Sequence, residues 1–70
     1  MDWIPTPQSS DISQFAYDEN SQILMVGFKK GSVYNYYDVP EHVFEAMKNA
    51  PSKGKFLYRE IKGRYRYVRA

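Results

Sequence analysis

Seventy residues with ten Lys or Arg, eight Asp or Glu and no Cys leave room for one domain and exclude disulfides and thiolate metal sites. One His, His42, cannot build a His-rich metal centre, and a doubly wound or barrel enzyme needs a longer chain. The net charge of +2 is uneven: residues 1–50 hold three Lys against seven carboxylates (−4), and residues 51–70 hold seven cations against Glu60 alone (+6).

Residues 1–8 contain Pro5 and Pro7 and read as an extended lead-in, with Trp3 and Ile4 folding back onto the core. No basic stretch followed by an apolar run opens the chain, so a signal peptide is not expected and cytoplasmic residence is. No apolar run reaches the roughly 20 residues of a membrane span. A single domain is expected over residues 9–70. Phe15 and Tyr17 alternate in a first strand, and Asp18-Glu19-Asn20-Ser21 is a turn cluster. In the strand Gln22–Phe28, Leu24, Val26 and Phe28 share one face and Ile23 and Met25 the other, as in a central strand. Lys29-Lys30-Gly31-Ser32 closes a hairpin, with Gly31 free to turn left-handed. The third strand is Val33–Tyr37, with Tyr34 and Tyr36 on one face.

Pro40 opens a helix over Glu41–Asn49, whose stripe is Val43, Phe44 and Met47. Ala50-Pro51 breaks it. Ser52 caps a second helix over Lys53–Lys62 with Phe56, Leu57 and Ile61 inward, and Gly63 follows its end. Arg64–Val68 alternates as a short strand or an extended tail. The expectation is an α+β domain: a three-stranded antiparallel meander packed against two short C-terminal helices, with or without a C-terminal strand.

An ordered series of residues resembles one known family. It comprises Ser9-Ser10-x-Ile12, Tyr17-Asp18, Leu24-x-Val26-x-Phe28 and Gly31-x-Val33-Tyr34-x-Tyr36. It continues with Val39-Pro40-x-x-Val43-Phe44, Ala50-Pro51-Ser52-Lys53-Gly54 and Ile61-x-Gly63-Arg64-Tyr65. This order and spacing, running over residues 9–67, resembles the KTSC domain, a short bacterial and phage module also found at the C-terminus of some lysyl-tRNA synthetases. The sequence departs from that pattern at Leu57, where an aromatic ring is expected, and at Tyr58, where Asn is common. The resemblance implies a small module without established catalysis, and attachment to a tRNA-charging enzyme points to RNA as ligand.

The residues themselves offer a basic surface. Lys55, Arg59 and Lys62 fall at i, i+4 and i+7 on the second helix, with Lys53 before them and Arg64 and Arg66 beyond. Tyr65 and Tyr67 alternate with the arginines. Cations beside aromatic rings suit phosphate contacts and base stacking. The same stripe is also what a half-buried helix shows to water, with the tyrosines finishing the core. Ser52, Lys53, Gly54 and Lys55 form a second candidate, an anion site on free N–H groups at a helix start; alternatively, Gly54 only lets two helices approach. Lys29 and Lys30 at the hairpin tip, and Tyr34, Tyr36 and Tyr37 as a stacking platform, are lesser candidates. His42 lies beside Glu41 and Glu45 without a nucleophile motif, so no catalytic residue, metal or cofactor is expected. The expected partner is nucleic acid, RNA first, or else a protein or a free nucleotide, bound by a monomer or weak homo-oligomer.

Overall fold

A computed structural model describes residues 2–70 of the chain. Five strands, β1 (Ile4–Pro5), β2 (Ile12–Asp18), β3 (Ile23–Phe28), β4 (Val33–Tyr36) and β5 (Tyr67–Arg69), form one sheet in chain order. Every neighbouring pair is antiparallel. Helix α1 (Glu41–Asn49) and a second helical segment lie between β4 and β5. That segment starts as α2 (Lys53–Phe56) and widens into a π-helical turn at Leu57–Ile61.

The α+β class is as the sequence implies, but the meander has five strands rather than three. The tail resolves into β5, paired with β4 through Tyr34–Arg69, Asn35–Val68 and Tyr36–Tyr67. The lead-in supplies β1, with Ile4 opposite Phe15 and Pro5 opposite Gln14. Proline lacks an N–H to donate, which an edge strand tolerates. Buried Thr6 then locks this edge: its hydroxyl donates to the Ile12 carbonyl at 2.6 Å and its N–H to the Ser13 carbonyl at 3.1 Å. A two-residue strand that ends in proline carries no periodicity from which to read it.

Directly opposed residues of an antiparallel sheet share a face. One row therefore runs Ile4, Phe15, Val26, Tyr34, Arg69, and the next runs Tyr17, Leu24, Tyr36, Tyr67. The helices cover the first part of these rows. Phe15, Leu24, Val26, Tyr36, Val39, Met47, Leu57 and Ile61 form the buried core with Ile12. Full burial of such side chains contributes about 1.5–3 kcal/mol each relative to exposure. Phe44 of α1 packs edge-on to Phe15 (centroids 5.9 Å apart) and stacks on Tyr17 (4.7 Å). A bulge between Ile12 and Gln14 on β2 adds local twist.

The second helical segment positions the basic residues. Ser52 caps it as expected, its hydroxyl accepting from the Lys55 N–H at 3.3 Å. The Lys62 N–H reaches back five residues to the Leu57 carbonyl at 2.7 Å. The α-helical i, i+4, i+7 layout thus does not carry through residues 57–61, because a π turn needs more residues to come round. Gly63, at φ +86°, reverses the chain into β5.

Candidate nucleic-acid interface

The two helices leave the far end of both rows uncovered. There β4 and β5 place Tyr34, Tyr36 and Tyr67 side by side. The Tyr67 ring lies 5.4 Å from Tyr34 and 5.8 Å from Tyr36, and Phe28 sits edge-on to Tyr34 at 5.5 Å. Tyr36 is only 2% exposed, whereas Tyr67 is 51% exposed. The row thus runs from core to surface, and its outer ring is available for stacking. Burial, with some repulsion from neighbouring phenolates, pushes the Tyr36 hydroxyl up to about 12, so it stays neutral at ordinary pH.

This floor belongs to a groove of about 240 Å³. The π turn forms one wall with Tyr58 and Lys62, the Lys62 ammonium lying 4.7 Å from the centre of the Tyr58 ring. The β3–β4 hairpin forms the other with Lys30 and Ser32. Gly31, at φ +103°, closes that hairpin. Asp11 also lines the groove. Its carbonyl accepts from the Lys29 N–H at 2.8 Å, tying it to the hairpin, and its Oδ2 accepts from the Tyr58 hydroxyl at 2.8 Å. That bond to a carboxylate holds the Tyr58 phenol above its usual value. Two cations, five aromatic rings and one carboxylate therefore line a single concavity.

The sequence candidates are distributed as follows. Lys62 and Tyr67 line the groove. Lys55 and Arg59 are exposed on the same helical segment, and Arg64 is exposed just beyond it. Tyr65 packs half-buried against the core. Arg66 alternates with Tyr67 and so lies on the opposite face of the sheet, its guanidinium 4.9 Å from the Tyr37 ring centre. Tyr37 is likewise turned away from Tyr34 and Tyr36. Lys53 is engaged in the fold, its ammonium donating to the carbonyls of Lys48 (3.0 Å) and Ala50 (2.7 Å) at the end of α1. Ser52 and Lys53 also line a second cleft, of about 350 Å³, with Pro5–Ser9 and Pro51. Gly54 lies near the Ser9 hydroxyl. Lys53 is the charged residue lining that cleft, and its ammonium is occupied. Lys30, a lesser candidate by sequence, lines the groove.

Two polar groove residues, Asp11 and Tyr58, and one residue beside the groove, Arg69, were missed. Asp11 and Tyr58 meet across 47 positions of chain, which no local pattern reveals. Arg69 stands opposite Tyr34 on the groove face, and the period-2 alternation after Tyr67 was the signal for it. Among the described residues no cluster of metal-ligating side chains occurs, and no helix is long and apolar enough to cross a membrane.

The KTSC domain family model matches residues 8–65. A KTSC domain protein of known crystal structure from Yersinia pestis superposes with a TM-score of 0.90 at 31% identity, covering 99% of this chain and 96% of that one. The lysine–tRNA ligase of Nostoc punctiforme is 44% identical over 61 residues, which are 87% of this chain and 11% of the ligase. The chain thus spans about a tenth of the length of the ligase relatives. A protein of Tsukamurella paurometabola is 41% identical over 61 residues, 87% of this chain and 91% of its own. On the family match, the shared fold and these identities, the chain belongs to the KTSC domain family.

Proposed function

We propose that this KTSC domain is a non-catalytic module that binds single-stranded nucleic acid, RNA in the first instance. One observation carries the reading: exposed Tyr67 and Tyr58 share a groove with the ammonium groups of Lys30 and Lys62. Single strands are held by stacking bases on aromatic faces while cations follow the phosphates. Lys55, Arg59 and Arg64 extend the cationic track along and beyond the helical wall, and Arg69 extends it along β5. The similarity to a segment of lysine–tRNA ligases supports RNA over DNA, since those enzymes handle tRNA. Lys53 and Arg66 stand outside this contact surface.

Binding is read by anisotropy of a fluorescent ten-nucleotide oligouridylate at several salt concentrations. About four phosphate contacts on a single strand give a log–log salt slope of about −3. Lys62→Glu weakens binding by more than tenfold at low salt and flattens that slope. Absence of binding at 50 mM salt, or binding insensitive to salt, overturns the reading. A protein partner recovered from nuclease-treated lysate in place of RNA points to the protein-interaction alternative.

A further inference from the structure

Asp11 is out of place in a groove built for phosphates. A carboxylate there repels the nucleic-acid backbone, yet it is held firmly. Its N–H donates to the Ser9 hydroxyl at 3.3 Å, its carbonyl accepts from Lys29, and its Oδ2 accepts from the Tyr58 hydroxyl. An ionised carboxylate is acceptor-only, with about four lone-pair sites on two oxygens. Tyr58 takes one of these, so the carboxylate keeps sites for a ligand that brings donors.

We propose that the groove takes one unpaired guanine base, stacked on Tyr67 or Tyr58, with its Watson–Crick edge donating to the Asp11 carboxylate. The proposal rests on the single-strand reading above and adds base selection to it. Guanine alone among the four RNA bases presents two adjacent donors on that edge, the N1–H and the exocyclic amine, which match the two oxygens of a carboxylate. Adenine and cytosine each offer one amine beside an acceptor. Uracil offers one N–H between two carbonyls that repel Asp11. The size agrees: about 240 Å³ is below the roughly 300–1,000 Å³ of sites for drug-sized ligands and suits one base. Lys30 and Lys62 then meet the phosphates on either side of the base.

The test uses ten-nucleotide oligouridylates in which one central position is U, C, A or G, measured by anisotropy at one salt concentration. The G-containing strand binds about tenfold more tightly than the all-U strand, as expected for one good two-bond base contact, with A and C between. Asp11→Asn preserves an acceptor for Tyr58, but its amide no longer matches two donors. The G preference then falls below twofold, while all-U binding tightens because a repulsive charge has gone. A thermal melt checks that the variant folds. If all four strands bind equally, base selection is wrong and the single-strand reading survives. If Asp11→Asn tightens every strand equally and keeps the G preference, Asp11 merely anchors Tyr58 and the proposal fails. If no strand binds, both readings fall together.

Discussion

Tyr36 shows how one residue can serve the core and the site at once. Its ring closes the floor under Tyr67 while its hydroxyl is pushed up to about 12 by burial. The folded protein therefore favours the neutral phenol, whereas the unfolded chain ionises near 10. The resulting stability is complete below pH 10 and is lost as the pH rises from 10 to 12. Tyr36→Phe should flatten part of that loss, as read by urea melts at pH 8 and pH 11. An unchanged pH profile would remove Tyr36 as its cause. At this scale the sequence was legible where a residue acts locally. Gly31 was expected to turn left-handed and does so, Gly63 was expected just past the helix end and sits there at φ +86°, and Ser52 was expected to cap and does. It was illegible where a long side chain acts across the fold. Lys53 looked like a phosphate ligand and instead donates to the carbonyls ending α1, because only the tertiary structure brings those acceptors within reach.

The element on which the site depends is the second helical segment. Leu57 and Ile61 anchor it with no exposure at all, while Tyr58 and Lys62, each one position on, face the groove. Leu57→Ala leaves a cavity under the π turn and should cost about 2–5 kcal/mol, a large share of the few kcal/mol available to so small a domain. Gly63→Ala forces a side chain into a left-handed backbone with no steric neighbour and should cost about 1 kcal/mol. Chemical denaturation measures both, and equal effects would contradict the separation of core from turn. The helix itself was legible from its cap, its apolar stripe and its terminal glycine. The π turn was not, since widening the helix leaves the apolar residues inward and alters only the angular spacing of the exposed ones. The edge strands divided in the same way: alternation over Arg64–Val68 left strand or tail open and the strand formed at Tyr67–Arg69, whereas β1 is held by Thr6 rather than by any pattern of its own.

Across the whole molecule, the acidic first fifty residues and the basic last twenty meet at one groove. Lys30, from the acidic body, stands across from Lys62, from the basic end. Electrostatic asymmetry was visible from the sequence, but the partition of the cations was not. Strand alternation sends Arg66 to the far face, against Tyr37, and keeps Arg69 on the near one. Arg66→Gln should therefore weaken RNA binding less than twofold, against more than tenfold for Tyr67→Ala, where stacking contributes about 1–3 kcal/mol per base. Equal losses would mean that charge acts without the groove. The most direct measurement is a backbone amide NMR titration with a ten-nucleotide oligouridylate at low salt. The predicted result is saturable shifts centred on Lys30, Tyr34, Tyr58, Lys62 and Tyr67, sparing Met25 and Asn35 on the opposite face. Shifts centred on that opposite face, or none at all, would contradict a nucleic-acid interface in the groove.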